Sequence, residues 1–91
     1  MHKILYTESY IRRARKFIKL HPGLIRQYEK TLKLLELNPA HPALRLHRLK
    51  GPLAGLYSVS INLSYRITLD FLIEGRKIIP VDIGTHDEVY R

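Results

Sequence analysis

Residues 57–83 read YSVSINLSYRITLDFLIEGRKIIPVDI, and the alternation in this stretch decides the fold. Tyr57, Val59 and Ile61 fall on one side of an extended chain, and Ser58 and Ser60 fall on the other. Asn62-Leu63-Ser64 supplies a turn. Tyr65, Ile67, Leu69, Phe71 and Ile73 then point one way, and Arg66, Thr68 and Asp70 the other. Glu74-Gly75 turns the chain again, and Arg76 to Ile83 forms a last strand. Pro80 has no amide hydrogen for a ladder, so it implies a sheet edge or a bulge. Three successive strands of this kind make an antiparallel sheet with one apolar face.

That face needs a cover, and the first half of the chain provides it. His2 to Tyr6 is a short strand candidate. Thr7 is placed to cap the helix that follows, and Glu8 suits the positive end of its dipole. Tyr10, Ile11, Ala14, Phe17 and Ile18 recur at helical spacing, while Arg12, Arg13, Arg15, Lys16 and Lys19 occupy the other face. His21-Pro22-Gly23 breaks the helix, with Pro22 suited to the first turn of the next and His21 to its cap. Leu24, Ile25, Tyr28, Leu32 and Leu35 give the second helix its inward side, before Asn38-Pro39 ends it. Leu44, Leu46 and Leu49 mark a short extended piece that runs into a Gly51–Gly55 loop. The expected architecture is α+β in the order βααβββ, an antiparallel sheet with a two-helix hairpin on one face. Residues 1–91 read as one domain, which at this length buries about 60–65% of its unfolded surface.

Composition narrows the chemistry. The chain has no cysteine, which excludes disulfides, zinc–thiolate sites and thiol nucleophiles. No apolar run reaches the ~20 residues that span a bilayer, and the N-terminus lacks a signal-peptide layout, so a cytoplasmic location without membrane contact is expected. The net charge is +8, unevenly spread: residues 1–50 hold 12 Lys/Arg against 3 Asp/Glu, residues 51–91 hold 4 against 5. A basic helical half suits a polyanion, an acidic protein segment, or simply water. Arg12, Arg13 and Lys16 are the helix residues expected to meet RNA.

The sheet face away from the helices carries Ser58, Ser60, Arg66 and Thr68, an expected open platform for a phosphodiester. RNA is cleaved without metal when its own 2′-hydroxyl attacks the adjoining phosphorus. That reaction needs a base, an acid, and positive charge on the non-bridging oxygens. His47, Arg66, His86 and Tyr90 form the expected catalytic set. The histidines share the proton transfers, Arg66 clamps the phosphate with its planar fork, and Tyr90 stacks a base or donates a proton. Arg48 and Lys50 flank His47 and are expected to hold the RNA backbone. Each residue has a plainer reading as well: a surface His47, an Arg66 paired with Asp70 or Asp82, a His86 that serves a turn. His86, Asp87 and Asp82 match no strong metal-ligand spacing, and neither metal nor cofactor is expected.

Several of these residues carry a resemblance. Leu49-Lys50-Gly51, Leu53 to Ser58, and Ile61 to Ile67 ending on Tyr65-Arg66-Ile67 resemble the middle of bacterial toxins of the RelE/ParE superfamily. Gly84-Thr85-His86-Asp87-Glu88-Val89-Tyr90 is similar to the C-terminus of its YafQ and YoeB branches. The resemblance implies a type II toxin that cleaves mRNA in the ribosomal A site, against ribosomal RNA, and is silenced by a cognate antitoxin. It places active-site roles on His47, Arg66, His86 and Tyr90. Where YafQ-type toxins add an acid and a histidine on the hairpin, this chain has Ser64 and Ser60. The antitoxin is expected to be acidic, from the +8 charge, and partly disordered when free. Two other functions compete: a ParE-like gyrase poison without nuclease chemistry, and a basic nucleic-acid-binding module that is no toxin. A gyrase poison has no need of a His–Arg–His–Tyr set. A binding module would stack bases on exposed sheet aromatics, whereas Tyr57 and Tyr65 fall on the core-facing side.

Overall fold

Thr7 opens the first long element: its hydroxyl accepts from the Tyr10 amide at 3.2 Å, satisfying one of the orphan donors of a helix start. A computed structural model describes residues 1–72, 76–85 and 87. Within them run β1 (Lys3–Ile4), α1 (Glu8–Leu20), α2 (Ile25–Leu37), β2 (His47–Arg48), β3 (Tyr57–Ser60), β4 (Tyr65–Leu72) and β5 (Lys77–Thr85). Short 3₁₀ turns begin at Pro22, Pro42 and Gly51. The expected Ile73 and the Glu74-Gly75 turn lie outside the described residues.

The five strands form one sheet in the order β1-β5-β4-β3-β2. The antiparallel pairs β2–β3, β3–β4 and β4–β5 follow from short connections. β1 differs: it pairs in parallel with β5, Lys3 opposite Lys77 and Ile4 opposite Ile78, so the sheet is mixed rather than wholly antiparallel. Hairpin spacing sets the direction of consecutive strands only, and β1 reaches its neighbour across the whole helical hairpin. Pro80 sits where expected. The register slips between Thr68, opposite Asp82, and Leu69, opposite Pro80, so Val81 is an extra residue at a bulge.

The helices cover the face of Tyr65, Ile67, Leu69, Ile78 and Ile83. Tyr10, Ala14 and Phe17 of α1 and Leu35 of α2 are buried in one cluster with Val59, Ile61, Ile67, Leu69, Ile78 and Ile83. Each such aliphatic side chain contributes about 1.5–3 kcal/mol by leaving water. Ile11 and Ile25, expected inward, remain 39% and 43% exposed, because they sit at the margins of their helical stripes. His21 does not cap the second helix either. Its ring lies between Phe17 (4.8 Å) and Tyr65 (4.7 Å), centroid to centroid.

One polar contact joins the helices. The Tyr10 and Tyr28 hydroxyls lie 2.8 Å apart in a largely apolar setting. Burial first, and the neighbouring Tyr28 second, push the Tyr10 hydroxyl well above its ordinary value, and burial raises Tyr28 too. An unfolded tyrosine ionises near pH 10. Above that pH the unfolded chain releases protons that the folded chain keeps, so stability is complete below about pH 10 and falls as pH rises. Each such proton adds a slope of about 1.4 kcal/mol per pH unit. Tyr10→Phe is expected to lose about 1 kcal/mol at neutral pH and to flatten the decline above pH 10. Urea unfolding on both sides of that pH checks it, and an unchanged alkaline slope would refute it.

Candidate active site

Residues opposite one another in paired strands share a face. His47 is opposite Ser58, Ser58 opposite Thr68, and Ser60 opposite Arg66, which places His47, Ser58, Ser60, Arg66 and Thr68 on the face away from the helices. Arg66 is the hub of that face. Its Nε donates to Ser58 Oγ at 2.9 Å, and its Nη2 donates to the Arg45 carbonyl at 3.0 Å and lies 3.3 Å from His47 Nδ1. A planar guanidinium held along one edge has a fixed heading. Among the described residues no carboxylate pairs with Arg66; Asp82, one of its expected partners, lies 3.8 Å from Arg13 instead. Asp82 also accepts from the Ile83 amide at 2.8 Å, which leaves that carboxylate doubly engaged.

His47 Nδ1 is also 3.4 Å from the Arg45 carbonyl. With the proton on Nδ1, the ring donates to that carbonyl and Nε2 is an acceptor, the form a general base needs. With the proton on Nε2, Nδ1 accepts from Arg66 and Nε2 offers a donor to a phosphate. Arg45 itself adopts a left-handed backbone (φ 47°, ψ 48°), uncommon outside glycine, asparagine and aspartate. That conformation belongs to the residue whose carbonyl takes the Arg66 guanidinium and faces the His47 ring. Nothing in the sequence marks Arg45, because arginine is not a turn signal.

The open platform expected from Ser58, Ser60 and Thr68 is not there: they are 0%, 7% and 2% exposed. Ser58 lies beneath the Arg66 side chain, and Ser60 Oγ donates to the Asn62 carbonyl at 2.5 Å, closing the turn into β4. Neither serine is exposed on that face. Among the described residues Thr68 Oγ1 has no hydrogen-bond partner. Arg48 does not share the face of His47. It follows His47 in a strand, so it points to the opposite face, where it is opposite Tyr57 and donates to the Tyr57 hydroxyl at 3.2 Å. That hydrogen bond holds the exposed Arg48 guanidinium above its ordinary pKa.

Arg13 and Lys16 line a groove between α1 and β5 together with His21 and Gly84. Arg13 donates to the Val81 carbonyl at 3.1 Å, filling part of the β5 edge that β1 is too short to cover. Arg12 lies apart on the outer side of α1, beside Glu8 and Arg15. Gly84 is opposite Arg66, so the end of β5 runs beside the hub. His86 and Tyr90 lie outside the described residues. Among the described residues no group of three or more His, Cys, Asp or Glu is placed to hold a metal ion, and no helix is long and apolar enough to cross a membrane.

This architecture has close counterparts among solved structures. YafQ from E. coli strain BL21(DE3) superposes with a TM-score of 0.79 over the whole of both chains, at 13% identity. A YoeB/ParE toxin from Agrobacterium tumefaciens gives 0.73 over 92% of this chain and 98% of its own, at 16% identity. The chain has the RelE-like toxin fold. A chain of the YoeB–YefM complex from Staphylococcus aureus shares that fold too, with a TM-score of 0.70 over 94% of this chain and 98% of its own, at 20% identity. No family profile and no curated protein matches the chain by sequence. The RelE-like fold implied by the stretches around Arg66 and Gly84 is therefore present, at identities where backbone topology outlasts side chains.

Proposed function

We propose that the chain is the toxin of a type II toxin–antitoxin pair, a ribosome-dependent endonuclease that cuts mRNA by attack of its own 2′-hydroxyl. The observation that carries this reading is the Arg66 fork fixed beside His47, with no neutralising carboxylate among the described residues. His47 Nε2 takes the 2′-hydroxyl proton as the new O2′–P bond forms. Arg66 stabilises the charge that gathers on the non-bridging oxygens. The P–O5′ bond breaks with its electron pair on O5′, which takes a proton from His86, and the products are a 2′,3′-cyclic phosphate and a 5′-hydroxyl. Tyr90 stacks a base beside the cut. No metal or cofactor is needed in this scheme.

The RelE-like fold supports the reading, as does the basic half of the chain, with its 12 Lys/Arg against 3 Asp/Glu. In the cytoplasm, a cognate antitoxin with an acidic, partly disordered segment would cover this charge and be ordered as it binds.

Primer extension on a defined message in a translating extract tests the proposal. New 5′ ends should arise inside translated codons and vanish when ribosomes are omitted. An intact message in that extract would overturn the reading; cleaved DNA trapped on gyrase in cells that express the chain would then identify the gyrase-poison alternative.

A further inference from the structure

β2 is only two residues long, yet it separates two faces, and the face that Arg48 enters opens on a cavity. A cavity of about 650 Å³ opens there between β2, the Gly51–Gly55 loop and the end of β4. Two cations, Arg48 and Lys50, and two rings, Tyr57 and Phe71, line it, and its lining includes no carboxylate among the described residues. Tyr57 and Phe71 meet edge to face, with centroids 5.1 Å apart and planes at 83°, so together they form a rigid corner rather than a loose patch. Arg48 secures the corner: it donates to the Tyr57 hydroxyl, and its guanidinium carbon lies 5.8 Å from the Tyr57 ring centroid. Gly51 and Gly55 have φ of +66° and +97°, left-handed positions that glycine adopts without strain, and nothing lies within 4 Å of where a Cβ would stand at either.

We propose that this cavity takes a nucleobase of single-stranded RNA, one that flanks the position cut at His47 and Arg66. The inference rests on the nuclease reading and deepens it. Rings that present an apolar corner, with cations beside them, are the combination that holds a base and its phosphate by stacking and charge, with a modest preference among bases. The volume lies within the range of small-molecule sites. Consecutive Cα atoms are about 3.8 Å apart, so His47 and Arg48 hand a strand from one face of β2 to the other within one residue. An RNA backbone that crosses the edge of β2 therefore meets His47 and Arg66 on one side and Arg48 and the ring corner on the other. An acidic peptide would satisfy the cations and leave the ring corner to whatever apolar residue it carried, which makes it the weaker match.

A short RNA, 2′-O-methylated throughout so that it cannot be cleaved, is titrated into isotope-labelled protein and followed by amide shifts. Shifts are expected at Arg48 to Tyr57 and at Phe71, besides those at His47 and Arg66. Arg48→Ala with Lys50→Ala, both exposed and remote from the core, should weaken binding about tenfold or more. Tyr57→Leu, with its fold verified by circular dichroism, should do the same. Shifts confined to His47 and Arg66, with unaltered affinity in the Arg48/Lys50 variant, would overturn the second site and leave the nuclease reading standing. No shifts anywhere would overturn the second site, while the nuclease reading stands or falls by primer extension with ribosomes present. Shifts at the cavity with an acidic peptide but not with RNA would assign it to a protein partner and overturn the proposal. In a translating extract, the Arg48/Lys50 variant should change which nucleotides flank the cuts, which makes the message the source of the base. A uniform loss at every cut would instead assign the base to ribosomal RNA.

Discussion

Arg66→Ala is expected to lower message cleavage by about 10²–10³-fold, the cost of removing one preorganised charge from a phosphoryl-transfer site. The structure makes this variant informative because Arg66 contributes through its direction as well as its charge. Two acceptors, Ser58 Oγ and the Arg45 carbonyl, lie 2.9 and 3.0 Å from its Nε and Nη2, and the His47 ring lies beside the latter. Lysine has one nitrogen and no planar edge to set against two acceptors at once, so Arg66→Lys should recover little of the activity despite its equal charge. The stability cost should be small, about 1 kcal/mol, since Arg66 is half-buried and the apolar cluster does not include it. Cleavage and thermal unfolding of the three proteins settle the matter together. If Arg66→Lys is as active as the parent chain, the fixed fork is not what the reaction uses. If Arg66→Ala is fully active, Arg66 is not in the site at all.

Much of this arrangement is legible along the chain, and the parts that are not have physical reasons. Period-two alternation places Arg66 and Ser58 on one face and Ile67 and Val59 on the other, as found. Alternation does not tell what lies over a face, however, and Ser58 is buried because the Arg66 side chain folds down onto it. The same rule separates His47 from Arg48, yet it could not be applied to a stretch that reads only as a short extended piece. A strand of two residues carries no period of its own, and β2 exists because β3 offers an edge to pair with. Arg45 is silent for another reason. Its left-handed backbone is imposed by the 3₁₀ turn at Pro42 and the entry to β2, not by a preference of arginine. The parallel pairing of β1 is equally hidden, because it joins residues more than seventy positions apart. His86 and Tyr90 rest on the sequence alone.

His47→Ala is expected to slow cleavage by about 10²–10⁴-fold, the usual weight of a positioned proton acceptor. The assignment of His47 as base rests on geometry. When Nδ1–H donates to the Arg45 carbonyl, the ring is oriented by backbone and Nε2 keeps the lone pair that a 2′-hydroxyl proton needs. A substrate with sulfur in place of the 5′ bridging oxygen separates base from acid. Sulfur leaves as a thiolate, a far weaker base than an alkoxide, so it departs without being protonated, and such a substrate no longer needs the acid but still needs the base. His47→Ala should therefore remain slow on the sulfur-bridged RNA, while added imidazole, small enough to enter the space left by the ring, should restore part of the rate. His86→Ala should behave in the opposite way, slow on ordinary RNA and near the parent rate on the sulfur-bridged one. A His47→Ala protein that recovers fully on the sulfur-bridged RNA would reverse the two roles. In that case the Nδ1 contact with Arg66 would be the one that matters, because an acid at that position must donate toward O5′ from the face that Arg66 holds.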